Sequence, residues 1–358
     1  MVTALKTSIN ILLVFLFTAC TSVPDERMTP YVDFPETREL TARTLSLDSA
    51  LFRYPYRVRV QDDKAVVLDL HGTEYFFHAF HYPGFHYLSS FGKRGDAPEE
   101  MLSAENLRWN GNFLWTLDSN KSELTRLGFA SSGDSLLRLE TVSLDEELLR
   151  ALDFVQYDDS TFIIPDYSGD SRFCLVSRQG KLLRKIGTIP TANEDALKSA
   201  RPALAQAWRS FIDYNPRNGV LAAATQLGEV LEIYNLKDST HIVRIGPNGE
   251  PEFQISQGYG IPTGIMGFSD IQVTDSAIYV VFQGRAFKDI MQKAQQGINL
   301  PDGGQNIYVF SLEGKPLRKY VLDHYIHGIS VDEQKGIIIA TDVNKDEPII
   351  EYRYHSAI

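Results

Sequence analysis

One phrase recurs six times along this chain, and it limits the possible folds more than any other feature. It consists of a short strand, a tight polar turn, and an apolar strand that ends in a polar residue. The clearest copy is Val58-Arg59-Val60, Gln61-Asp62-Asp63-Lys64, Ala65-Val66-Val67-Leu68-Asp69. A second runs Asn110-Gly111-Asn112 into Phe113-Leu114-Trp115-Thr116-Leu117-Asp118, and a third Asp158-Asp159-Ser160 into Thr161-Phe162-Ile163-Ile164-Pro165-Asp166. Weaker copies end at Thr225, at Phe282 in place of a polar residue, and at Asp342, so the endings lie 48 to 60 residues apart. The alternation and β-branched content are those of strands, and the Gly, Asn and Asp clusters are those of turns.

Between the copies lies a second phrase, two strands joined by a Gly or Asp turn. Residues 173–187 read FCLVSRQGKLLRKIG, and 307–321 read IYVFSLEGKPLRKYV. Two phrases give four antiparallel strands per repeat. One such sheet cannot bury both faces alone, whereas a closed ring of sheets can, so the pattern predicts an all-β, six-bladed β-propeller over residues 36–358. A β-sandwich pair accounts poorly for six ordered copies. The sixth copy lacks its fourth strand after Tyr354. Residues 38–47 (RELTARTLSL) supply a spare one at the other end, predicted to close the ring as the outer strand of blade six.

The first 19 residues read as an export signal. Lys6 gives a positive start, and Ile9 to Phe17 is a nine-residue apolar run, followed by Thr18-Ala19 and Cys20. That run is too short to cross a bilayer, which takes roughly 20 residues. Cys20 is the expected lipidation site, and residues 20–35, with Pro24, Pro30 and Pro35, are expected to form a tether between lipid and domain. The expected location is the cell envelope, lipid-anchored at the outer membrane. The other cysteine, Cys174, alternates with apolar neighbours and reads as a packed strand residue rather than a nucleophile. A net charge of −11 with no basic stripe argues against nucleic acid as a partner.

The six-blade layout resembles the TolB-like six-bladed propeller lipoproteins of Bacteroidetes. The link Phe91-Gly92-Lys93-Arg94-Gly95-Asp96-Ala97-Pro98-Glu99-Glu100 is similar to that family's glycine-rich connection after blade one, departing from it at Ala97 and Glu99. His327-Gly328-Ile329-Ser330-Val331-Asp332 is similar to its ending. The resemblance implies the fold, export and a lipid anchor, and no activity.

Strand order places the A–B and C–D turns on one face of a propeller and the B–C and D–A connections on the other. The long connections (92–105, 187–207, 246–267 and 284–305) all belong to the second face, which is therefore the expected binding face. Residues just before the inner strands are expected at its channel mouth: Arg53, Asn106, Asp153, Arg209, Asp270 and His327, with Tyr54 and Glu105 beside them. Such a polar ring suits a glycan, a peptide or an envelope protein partner. The alternative is a metal-dependent hydrolase of lactonase type, with Glu105, Asn106, Asp153 and Asp270 converging on an ion. No G-x-S-x-G, H-E-x-x-H, phosphate-loop or C-x-x-C motif occurs, so no catalytic residue, cofactor or metal ligand is assigned. His71, His78, His81 and His86 crowd blade one without a ligand spacing.

Overall fold

The computed structural model describes residues 28–47 and 52–354; the expected signal peptide and Cys20 lie outside them. Six four-stranded antiparallel sheets follow one another around a ring. Blade one is Pro55–Gln61, Lys64–Asp69, Tyr75–His81 and His86–Lys93. Blades two to five occupy 104–143, 155–186, 210–245 and 268–326. Blade six takes three strands from 329–353 and its fourth from the N-terminal segment. The middle strands are almost wholly buried. Val220–Thr225 and Ala277–Phe282 are buried along their whole lengths, because neighbouring blades cover both their faces.

The repeated terminal Asp has a structural task. Asp69 accepts the backbone N–H groups of Arg53 (2.8 Å), Tyr54 (2.6 Å) and His71 (3.3 Å). Asp118 likewise takes those of Leu102 (2.7 Å), Asn120 (3.0 Å) and Lys121 (3.0 Å). Each carboxylate thus ties the turn after its own strand to the link entering the blade, satisfying N–H groups that no ladder reaches.

The N-terminal segment differs in detail from the expected closing strand. Arg43–Thr44 does pair with Ile350 and Glu351 and completes blade six. Thr37–Leu40, however, runs parallel to the outer strand of blade five, with Leu40 opposite Leu322. Met28–Pro30 runs parallel to the outer strand of blade four, with Met28 opposite Val243. Residues 28–35, expected in the tether, therefore belong to the propeller; residues 20–27 lie outside the described residues. The reason is apolar burial. Tyr31 and Phe34, 7% and 8% exposed, sit in one cluster with Tyr308 and Phe310 between blades four and five. The Tyr31 hydroxyl donates to Glu229 Oε1 at 2.7 Å. The segment is a strap over the outer edges of three successive blades.

Ring closure brings blade six against blade one at Gly328. A Cβ there would lie 2.6 Å from the Arg57 Cα and 2.8 Å from the Tyr56 carbonyl, so only glycine permits the approach. On the long-connection face stand three helices, α1 (Glu194–Ser199), α2 (Arg201–Ala207) and α3 (Phe287–Gln295), and a hairpin of Phe253–Ser256 and Tyr259–Pro262. None of these helices is long and apolar enough to cross a membrane.

Candidate functional site

The inner strands run from the long-connection face to the short-turn face, and their side chains fill the channel with charge. Arg59 makes a bidentate pair with Asp270, both contacts 2.8 Å, and Arg57 Nε lies 3.3 Å from the same carboxylate. Arg108 reaches Asp213 at 2.7 Å and Asp153 at 3.1 Å. Asn106 donates to Asp153 through its side-chain amide. Three guanidinium groups thus meet three carboxylates and the network is internally neutral. Burial alone would raise the Asp270 carboxyl. Arg57 and Arg59, with the Ile329 N–H, hold it at about 2. The Asp213 carboxyl moves the other way, pushed up by burial against the pull of Arg108.

The network also joins neighbouring blades. Asp153 accepts the Ile212 N–H (2.9 Å), Asp213 that of Val273 (2.7 Å) and Asp270 that of Ile329 (2.9 Å). Removing one member would leave a buried charge uncompensated.

Of the residues expected at the long-connection mouth, Asn106, Asp153 and Asp270 are buried in this network and face no opening. Their oxygens are held by guanidinium and backbone donors, so they do not converge on an empty ion site. Arg53 is exposed, and Arg209 is half-buried, 3.7 Å from Glu105. His327 is buried with Nε2 3.3 Å from Asp302 and 3.2 Å from the Tyr54 hydroxyl. Tyr54 also donates to Asp302. The His327 hydrogen bond is the main reason the Asp302 carboxyl lies well below the usual carboxylate range. Tyr54, Tyr56 and His327 pack ring on ring, centroids 5.0–6.1 Å apart, across this end of the channel.

A cavity of about 360 Å³ opens at the opposite end, among the short A–B turns. Six polar side chains, one from each inner strand, stand deep in its wall: Arg59, Arg108, Gln156, Asp213, Gln272 and Ser330, with Gln61, Asn110, Asp158 and Asp159 of the turns beside them. Five of the six are committed to a neighbouring blade. Ser330 Oγ accepts the Val60 N–H (3.0 Å) and Gln272 Oε1 that of Val331 (2.7 Å), while Arg59 donates to the Ile329 carbonyl (2.7 Å) and Arg108 to that of Phe154 (2.8 Å). Asp213 holds Val273 as above. Gln156 differs. Its Nε2 donates to the Asp158 carbonyl at 3.0 Å, and its Oε1 is buried without a partner. A buried acceptor left open costs on the order of 1–3 kcal/mol, which a donor from a ligand would recover.

Three rings stand beside these polar groups. Trp109, Tyr157 and Tyr214 line the cavity, with Tyr157 and Tyr214 centroids 5.5 Å apart and Trp109 stacked on Phe129 at 6.3 Å. Their signal was present in the sequence. Trp109-Asn110, Tyr157-Asp158 and Tyr214-Asn215 repeat an aromatic before a turn-forming side chain in three consecutive blades. Only alignment of the inner strands themselves, rather than of the strand endings, exposes it.

The other candidates disperse. His78 Nδ1 meets Ser90 Oγ at 2.8 Å, His81 faces Asp63 at 3.6 Å, and His71 packs on Tyr54. Among the described residues no three His, Cys, Asp or Glu side chains are grouped to hold a metal. Cys174 is buried in the cluster between blades two and three, and burial pushes its thiol up to about 12.

A family model described as TolB-like 6-blade propeller-like matches residues 33–334. No curated protein matches the chain. Among solved structures, it is similar to a "Putative exported protein" from Bacteroides fragilis NCTC 9343 (TM-score 0.56, 10% identity, covering 92% of this chain and 100% of that one). It is also similar to a member of the duf4221 family from Bacteroides vulgatus ATCC 8482 (TM-score 0.54, 9% identity, 89% and 96% covered). At such identities the likeness is one of fold.

Proposed function

The chain belongs to the TolB-like six-blade propeller family, and from that premise we propose that it is a lipid-anchored cell-envelope binding module whose ligand enters the short-turn cavity. The signal-like residues 1–19 and Cys20 support the envelope location, as does the likeness to an exported Bacteroides protein. The proposed ligand is uncharged and rich in hydroxyl groups, such as a neutral glycan. The observation that carries this reading is the unpartnered Gln156 Oε1 beside three aromatic rings. With its amide turned toward the cavity, Gln156 would accept from a sugar hydroxyl, and the apolar face of the ring would rest on Trp109 or Tyr214. An anionic ligand finds no counterpart, because Arg59 and Arg108, the two arginines of the wall, are already paired with aspartates. The reading of Asp153 and Asp270 as metal ligands draws no support from carboxylates so engaged.

Titration of the mature chain against a panel of neutral and acidic oligosaccharides by calorimetry tests the reading. Trp109→Ala and Gln156→Ala should each weaken binding by about tenfold or more, the value of one good contact, and Gln156→Ala should do so at an unchanged melting temperature. Binding that survives both substitutions, or that is confined to anionic ligands, would refute it.

A further inference from the structure

The cavity at the short-turn end continues into a second hollow of about 500 Å³. The two share Val60, Gln61, Gln272 and Ser330, and so meet over the inner strands of blades one, five and six. The first lobe draws on the A–B turns of blades one to four, and the second on those of blades four, five, six and one. Together they make one cleft across the whole end of the ring.

The two lobes have different walls. Aromatic rings dominate the first. In the second, the turns supply mainly oxygen acceptors: Asp62, Asp275, Asp332 and Glu333. Its two cations are already engaged, Arg217 with Asp275 and Lys335 with Asp332, each at 2.7 Å. The Asp62 carboxylate is exposed, with Gln61 Nε2 at 3.5 Å. Such a wall accepts hydrogen bonds from hydroxyl groups and repels anions. A third hollow, of about 320 Å³, opens from Trp109 between blades one and two. It shares only Gln61 and Trp109 with the first lobe. Its rings are already in use: Phe129 stacks on Trp109 with Lys64 Nζ 5.5 Å from its centroid, and the Arg126 guanidinium lies 4.5 Å from that of Phe113. The acceptor lobe is therefore the better continuation for a ligand rich in hydroxyl groups.

We infer that the ligand is a chain of several neutral sugar units, one end stacked in the aromatic lobe and the rest laid across the acceptor lobe over blades five and six. The inference deepens the glycan reading of the first lobe and rests on it. Each further unit that fits adds contacts without a second loss of translational freedom, so affinity climbs with chain length until the cleft is filled.

Calorimetry on the mature chain with gluco-, xylo- and manno-oligosaccharide ladders, from the disaccharide upward, separates the two claims. In a ladder that binds, the longest chain should bind the parent at least about tenfold more tightly than the disaccharide. Ser276→Trp fills the second lobe from an exposed turn and should erase that gain. Asp62→Gly removes an acceptor at a position whose φ of 52° suits glycine, and should cut the gain at least about fivefold. Both variants should keep the parent's melting temperature and its affinity for the disaccharide, whereas Trp109→Ala should weaken every length alike. A parent that binds disaccharide and long chain equally overturns the chain inference and leaves the glycan reading of the first lobe standing. So does a gain that persists in Ser276→Trp. Failure of every ladder at every length overturns both. An oligolysine peptide that binds in their place, and is lost in Asp62→Gly, assigns the cleft to a basic chain and equally overturns the inference.

Discussion

Asp270 concentrates the physics of the channel in one carboxylate. It is fully buried, faces both Arg57 and Arg59, and caps the Ile329 N–H of the next blade. Asp270→Asn keeps the shape and leaves two guanidinium groups short of charge, so it should cost about 3–5 kcal/mol. The same residue sets a pH dependence. Its carboxyl sits at about 2 in the folded chain against 3.8 for the ordinary group. The folded state therefore binds the proton less well, and the stabilisation is complete above pH 3.8 and is lost as pH falls towards 2. Melting curves of parent and Asp270→Asn should lie a constant distance apart above about pH 5 and converge in that acid window. A gap that stays constant down to pH 2 would show that Asp270 is not ionised in the fold. Little of this was legible in the sequence. Asp270 could be placed near an inner strand, but nothing local distinguishes a mouth residue from a buried one. Burial here depends on Arg57 and Arg59, more than 200 positions away in the chain. Gln156 was hidden for the same reason, since an unmet acceptor is a property of its neighbours.

At the scale of elements, the strands were readable and the strap was only half so. Period-two alternation and the Asp endings fix each blade locally, and every one of the six repeats folds as its pattern requires. Residues 28–35 carry two prolines with Thr29 and Asp33 and no strand-like alternation, so they read as linker. Tyr31 and Phe34 are the exceptions, and their value appears only when Tyr308 and Phe310 are brought alongside. Phe34 lies 4.6 Å from the Tyr308 ring and 5.2 Å from that of Phe310. Phe34→Ala should accordingly lower stability by about 3–5 kcal/mol in denaturant titration, the cost of a core aromatic. A tether residue would give less than about 0.5 kcal/mol, and that outcome would remove the strap from the fold. The parallel pairing of Thr37–Leu40 with blade five has no sequence signal at all, because an added edge strand needs no turn and no partner phrase.

The whole molecule has two ends with different chemistry. The hairpin and α3 stand on the long-connection side, the strap runs along the outer edges of blades four to six, and the ligand cavity opens among the short turns. The cavity must stay open to water to take the proposed ligand, and the tryptophans give a way to see this. The chain has three, and two of them, Trp115 and Trp208, are 1% and 0% exposed. Trp109 and Trp115 both border the cavity, but only Trp109 is partly exposed, so a soluble quencher such as acrylamide reads mainly that ring. Reconstituting the lipidated chain into vesicles should leave the quenching constant close to its value in detergent, because the cavity remains in water. Saturation with the oligosaccharide found by calorimetry should then lower it, as the ligand covers Trp109. If insertion into the bilayer itself shields Trp109, the propeller sits with its short turns on the membrane, and the cavity is closed to the proposed ligand.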